Sequence, residues 1–359
     1  MKRTLCFALL ALLLAVPVRA ADLADGLGTG ALRRALPESA AEALEGIDAA
    51  DAELDTGLGR LWSYLRAKLS GALAEVLRPL AAVLAVTVLS AVGARFAPAG
   101  GFDYVGFGGA LAVTAVCVGD VKSVVSLGAL ALGDLRDLSA ALLPTLTAAA
   151  AASGAVGSAA AKYAAAAMFT DLLLSLAENL IFPLICAYTA AVAAGAALGT
   201  DQLAAGTRLL HWGAKTLMRG LVLAFTAYLG ITGVVAGQAD AAAVKAARTA
   251  LSAALPVVGR TIADVSDSLV AGAGVLRGSI GVFGALAVGA AAALPVLRLG
   301  LRCLLFKAAA ALAGVVAAGR LGRLIDGIGN AYGLVLGLVG AASIIELLAV
   351  FSLMKVVTA

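Results

Sequence analysis

The chain has 359 residues, of which 62% are hydrophobic and only 13% charged, and a mean hydropathy of +1.03. A soluble domain carries about a quarter charged residues, so composition excludes that class and indicates an integral membrane protein. The net charge of +4 is mild, the basic residues lie scattered at the ends of apolar runs, and aromatic residues make up 5%; together these exclude a nucleic-acid partner.

Long Ala/Leu/Val/Gly runs without two-residue alternation argue for helices over a closed barrel. The expected fold is therefore all-α, a polytopic helical membrane protein. It opens with Lys2 and Arg3, an apolar run from Leu5 to Val16, and small residues around Ala20. This is the pattern of a secretory signal peptide over 1–20, with an uncleaved anchor as the alternative.

Residues 21–78 form a segment whose first part is dominated by Asp22, Asp25, Glu38, Glu42, Glu45, Asp48, Asp51, Glu53 and Asp55. Following an export signal, an acidic segment is expected outside the cytoplasm. Within it, Leu58 to Leu77 reads as an amphipathic helix with Leu58, Leu61, Trp62, Leu65, Leu69, Leu73 and Leu77 on one side. Such a face lies on a membrane surface or packs on a partner.

The membrane domain spans 79–359. Apolar stretches near 79–96, 105–119, 138–161, 172–198, 217–236, 279–297, 303–318 and 331–354 give seven or eight transmembrane or re-entrant segments, judged against the roughly 20 residues a crossing needs. Pro183 is expected to kink or split its stretch. The basic clusters Arg208, Lys215, Arg219 and Arg298, Arg302, Lys307, with Lys355, favour the cytoplasmic side. An odd number of crossings must then separate Arg78 from Arg208. Four stretches lie there, so one is re-entrant, interfacial or wrongly split, the short 105–119 stretch being the first suspect.

Between the spans lies a polar island, Val244 to Gly281, holding Lys245, Arg248, Arg260, Asp264, Asp267 and Arg277. Pro256 and Gly259 allow the chain to turn between two helical arms, giving an amphipathic hairpin over 244–279. Arg260, Asp264 and Asp267, spaced four and three apart, share a helical face and can pair. Charge bias puts this hairpin outside the cytoplasm. It is expected to lie at the membrane surface or dip into it, either as a solvated linker or as an interaction or pore-adjacent element.

The residues of the island, Lys245-Ala-Ala-Arg248, then Leu255-Pro256-Val-Val-Gly259-Arg260, Asp264, Asp267, and Gly278 before a new span, resemble the stage III sporulation protein AE family of endospore-forming bacteria. The order of parts is similar too: export signal, polar extracytoplasmic segment, then many spans. The resemblance implies a multi-pass component of the mother-cell membrane surrounding the forespore. It implies a subunit of a channel or secretion-like complex, with no enzymatic activity. The partners it implies are other stage III sporulation membrane proteins, a secretion-type ATPase and ring-forming proteins between the two membranes, besides the lipid bilayer itself.

Chemistry-bearing motifs point the same way. No HExxH, GxSxG or GxxxxGK[ST] pattern occurs, so no catalytic residue, cofactor or metal ligand is assigned. Cys117, Cys186 and Cys303 lie far apart and read as small packing residues, and the lone His211 as an interfacial side chain. Glu178 and Glu346 are ionisable residues inside apolar spans. Each costs about 2.5–3.5 kcal/mol to insert, so each should face protein or water. Intramembrane carboxylates of this kind also suit a second class of function, a secondary transporter or permease for a small solute. Glycines four apart at Gly195/Gly199, Gly233/Gly237 and Gly329/Gly333/Gly337 are candidates for close helix contacts.

Overall fold

The computed structural model describes residues 29–49, 52–96, 103–199, 202–254, 259–316 and 319–354, and for most of 232–273 the backbone path alone. The signal pattern at 1–20, Pro256 and Lys355 lie outside the described residues. Every regular element among the described residues is helical: α1 (Thr29–Arg34), α2 (Glu38–Ala43), α3 (Leu54–Ala94), α4 (Tyr104–Ala152), α5 (Val156–Leu176), a π-helical turn (Ala177–Ile181), α6 (Phe182–Leu198), α7 (Ala204–Ala254), α8 (Gly259–Val316) and α9 (Arg320–Met354). The fold is all-α.

Six helical stretches among the described residues are long and apolar enough to cross a membrane: 54–94, 104–152, 156–198, 204–231, 277–315 and 320–354. The sequence expectation of seven or eight segments differs because neighbouring apolar runs fuse. The 105–119 stretch and most of 138–161 belong to one helix, α4, since the intervening Asp120 to Asp137 keeps helical periodicity with Val121, Val124, Leu132 and Leu135 buried. Likewise 279–297 and most of 303–318 are two parts of α8, whose Pro295 is accommodated inside the helix. Three apolar helical stretches then lie between Arg78 and Arg208, the odd number that the charge bias requires.

Local chemistry explains the boundaries. Asp103 caps α4 by accepting a hydrogen bond from the Gly106 amide at 2.8 Å, a bond that supplies one of the orphan donors of the first turn. At its other end α4 stops inside the alanine run expected to be one span. Gly154 turns with φ +92°, the Ala155 amide donates to the Ala150 carbonyl and the Gly154 amide to Ala151. This is a Schellman cap, which needs the left-handed conformation that glycine adopts without a Cβ penalty. Pro183 does not split 172–198. It follows the π-helical turn, one residue of extra width that absorbs the missing amide and the ring, and the helix continues to Leu198.

The helix α3 is continuous through Pro79, so the amphipathic stretch and the first apolar stretch are one element. Its bundle-facing stripe is Gly57, Tyr64, Ala72, Val76, Leu80 and Val83. The leucine stripe faces largely away: Leu58, Trp62, Leu69 and Leu77 are exposed.

At the centre stands α9, which packs against α4, α5, α6, α7 and, most extensively, α8. Apolar residues cover most of its circumference, as expected of a helix buried on all sides. Small residues let its neighbours close in. A Cβ at Gly322 would lie 3.2 Å from the Gly314 amide nitrogen and 3.3 Å from the Ala310 carbonyl oxygen of α8. Along the glycine series, Gly329 meets the Lys307 stem, Gly333 the Cys303 sulfur and Gly337 the Met218 side chain. Gly199 has a different role from the one its spacing suggests: it is the left-handed cap of α6, with φ +66°.

Candidate functional site

The helix α8 carries a spine of cations through the apolar bundle, and the carboxylates that meet them come from three different neighbours. From α3, Glu75 reaches Arg298 at 3.2 Å and Arg302 at 3.8 Å. From α4, Asp120 accepts from Arg302 Nε at 3.4 Å and from the Tyr332 hydroxyl of α9 at 2.6 Å. From α9, Asp326 and Asn330 accept from Lys307 Nζ at 2.7 Å each, and Asn330 Nδ2 donates to Asp326 at 3.1 Å. The side chains of Arg302 and Asp120 are only 8% and 10% exposed. Buried pairs of this sort add little net stability, because desolvation offsets attraction, but loss of one member strands the other. Their use here is to fix register among α3, α4, α8 and α9.

The cluster Arg298, Arg302 and Lys307, read from the sequence as favouring the cytoplasmic side, is held by carboxylates of the bundle: Arg302 is buried, and Lys307, 38% exposed, is engaged by Asp326. Their partners Asp120, Asp326, Asn330 and Tyr332 were not singled out from the sequence. For Asp120 and Asp326 the available signal was the same one that flagged Glu346: a carboxylate set in an apolar run.

Glu346 is 2% exposed, on α9 facing α5. Its Oε1 accepts from the Thr170 hydroxyl at 2.6 Å, the Ser139 hydroxyl is a second neighbour, and its Oε2 has no hydrogen-bond partner among the described residues. A cavity of ≈ 10 Å³, lined also by Arg136 and Leu173, adjoins it. Glu346 thus faces protein, as the insertion cost requires. Glu178 does not: it sits in the π-helical turn on the outer surface of the chain, beside Asn179 and Ser175, which are also exposed.

At one end of the bundle the last carbonyls of α9 are closed by cations. Lys162 Nζ of α5 donates to Ser352 O at 2.6 Å, Arg277 Nε of α8 to Leu353 O at 2.8 Å, and Arg277 Nη2 to Met354 O. Arg277 Nη1 reaches the Ser153 hydroxyl at 3.0 Å. A helix C-terminus leaves such carbonyls without partners and carries partial negative charge, so two cations satisfy both needs. The opposite end is tied by Arg320 to Asp103 at 3.2 Å.

The polar island divides between two elements. Lys245, exposed, and Arg248 fall in the last turns of α7; Gly259 opens α8, and Arg260, Asp264 and Asp267 occupy its first turns. Both arms are uninterrupted continuations of apolar helices. At 1.5 Å per residue the 51 residues of α7 extend about 77 Å, more than twice the roughly 30 Å hydrocarbon layer. The charged ends therefore lie beyond the apolar layer and are brought to one end of the bundle, the end where Arg277 holds α9. They do not converge with Glu178 or Glu346.

A family model described as stage III sporulation protein AE matches residues 47–357. No curated protein and no solved structure matches the chain. The match covers the helical bundle, the cation spine of α8 and the polar island together, and on that ground the chain belongs to the stage III sporulation protein AE family.

Proposed function

We propose that this membrane protein is a non-enzymatic, structural or channel-forming subunit of the complex that connects mother cell and forespore. The observation that carries the reading is the family match over 47–357; the bundle of apolar helices and the charged arms at one end supply a physical form for it. The protein would sit in the mother-cell membrane around the forespore, with its arms offered to ring-forming proteins between the two membranes and its opposite face to a secretion-type ATPase. Energy for transport would come from that partner, since the chain carries no nucleotide-binding motif. Deleting the gene in its endospore-forming host, and scoring forespore size and late forespore gene expression, tests the proposal: collapsed forespores with silent late expression support it, and normal spores overturn it.

A secondary transporter is the alternative, favoured by Glu346 and by the Arg302–Asp120 pair inside the bundle. Gradient-driven solute uptake by the purified protein alone in vesicles would establish it. A subunit of a larger assembly takes up none.

A further inference from the structure

The cation spine of α8 opens at the Arg320 end of the bundle into a cleft of ≈ 660 Å³ between α6, α7, α8 and α9. This is the size range of small-ligand sites, about 300–1,000 Å³. Four basic side chains line it, Arg208, Lys307, Arg320 and Arg323, against one carboxylate, Asp326. Lys307 is engaged with Asp326 and Arg320 with Asp103, while Arg208 is anchored by Nε to Ala204 O at 3.2 Å in the first turn of α7.

Two helix N-termini meet the same cleft. The residues that precede α7 and α9 are Leu203 and Gly319, whose carbonyls accept the first helical bonds from Thr207 and Arg323. Neither side chain can cap, and neither helix has an acidic residue in its first turn. Both therefore present amide donors and positive dipole ends toward a space rimmed by arginines. The remaining wall is apolar and small-residued, including Val192, Ala196, Ala310, Gly314 and Leu324. A Cβ at Gly314 would meet nothing within 4 Å, so the cleft comes right up to the α8 backbone.

We propose that this cleft binds the phosphate headgroup of an anionic phospholipid, with the glycerol and first acyl carbons along the apolar wall. A phosphate is the group that forked guanidinium donors and helix N-terminal amides both recognise. The cleft lies at the ends of four apolar helices, the depth at which headgroups sit, and an apolar wall beside a basic rim suits a lipid better than a free anion. Basic pockets between helices at this level are a general means of holding acidic lipids. The site is independent of the proposed sporulation complex, because it is formed by one chain alone.

The full chain, reconstituted in nanodiscs of an equal mixture of phosphatidylglycerol and phosphatidylcholine, is stripped with detergent and its retained lipids are identified by native mass spectrometry. Phosphatidylglycerol is expected to be enriched on the wild-type protein. A loss of roughly 25-fold in its retention is expected for Arg208→Gln with Arg323→Gln, at about fivefold per basic residue. Gly314→Leu, which keeps all four cations and fills the wall, should lose it too, and Arg219→Gln, outside the cleft, should keep it. Equal retention of the two lipids overturns the proposal, as does unchanged enrichment in Gly314→Leu or equal loss in Arg219→Gln. Thermal stabilisation of the delipidated protein by inorganic phosphate, without lipid enrichment, overturns the lipid source in favour of a soluble anion.

Discussion

Arg277 and Arg302 sit on the same helix and do different work. Arg277 donates to two terminal carbonyls of α9 and to Ser153, closing groups that have no other partner within their helix. Arg277→Leu leaves them unpaired, with an expected loss of about 2–3 kcal/mol, read as a lower thermal midpoint in detergent; Arg277→Lys, with one amine in place of a three-way fork, should recover only part of it. Arg302 answers a buried carboxylate. Arg302→Met alone strands Asp120 and should destabilise by about 3–5 kcal/mol, whereas Arg302→Met combined with Asp120→Leu should recover most of that. Equal destabilisation in the single and double variants would show that the pair is not coupled. Glu346 was legible in the sequence as a group needing burial among protein, because one charge in an apolar run stands out. Asp120 carries the same signal, but its pairing was not legible, since its partners Arg302 and Tyr332 lie 182 and 212 residues away and no local pattern announces them.

The helices themselves were legible from hydropathy, but their ends were not. A sliding reading breaks an apolar run wherever charges appear, so it divided α4 at Asp120 to Asp137 and α8 at Arg298 and Arg302, where the structure keeps one helix and pairs Asp120 with Arg302 and Arg298 with Glu75. Conversely it ran through Ser153-Gly154, where a single glycine in an alanine tract reverses the chain. Glycine spacing found part of the α8–α9 contact, at Gly329 and Gly333, and missed its tightest point. Gly322 faces backbone, which cannot move aside as a side chain can. Gly322→Val is expected to cost about 1–3 kcal/mol by overpacking. On the same helix Gly340, with open space at its Cβ position, should accept alanine with a gain of about 0.5–1 kcal/mol. Thermal unfolding of the two variants side by side separates contact from helix propensity: a similar shift in both would assign Gly322 no packing role.

On the scale of the whole molecule, a group of long-range polar contacts marks each end of the bundle. Asp103, Gly199 and Arg320 gather where α4 and α9 begin and α6 stops; Lys162, Ser153, Arg277 and Met354 gather where α4 and α9 stop. The helices therefore alternate in direction, and a single assignment of side orients them all. Charge bias makes that assignment: Arg208, Lys215 and Arg219 near the start of α7 favour the cytoplasm, which puts the start of α9 inside and the junction of α7 and α8 outside. In a background with all four native cysteines replaced, a cysteine at Lys245 should react with an impermeant maleimide on intact protoplasts, and one at Arg323 only after permeabilisation. The reverse pattern would invert the molecule and place the arms on the cytoplasmic side. With the arms outside, they are a charged surface beyond the apolar layer, and in the proposed complex their charges should matter according to position. Arg260 and Asp264 lie one turn apart at the start of α8, the spacing at which opposite charges on a helix are neighbours. Arg260→Ala and Asp264→Ala are each expected to reduce co-purification of the other stage III membrane proteins more than Lys245→Ala does. Full recovery of those partners by both variants would remove the arms from the interface.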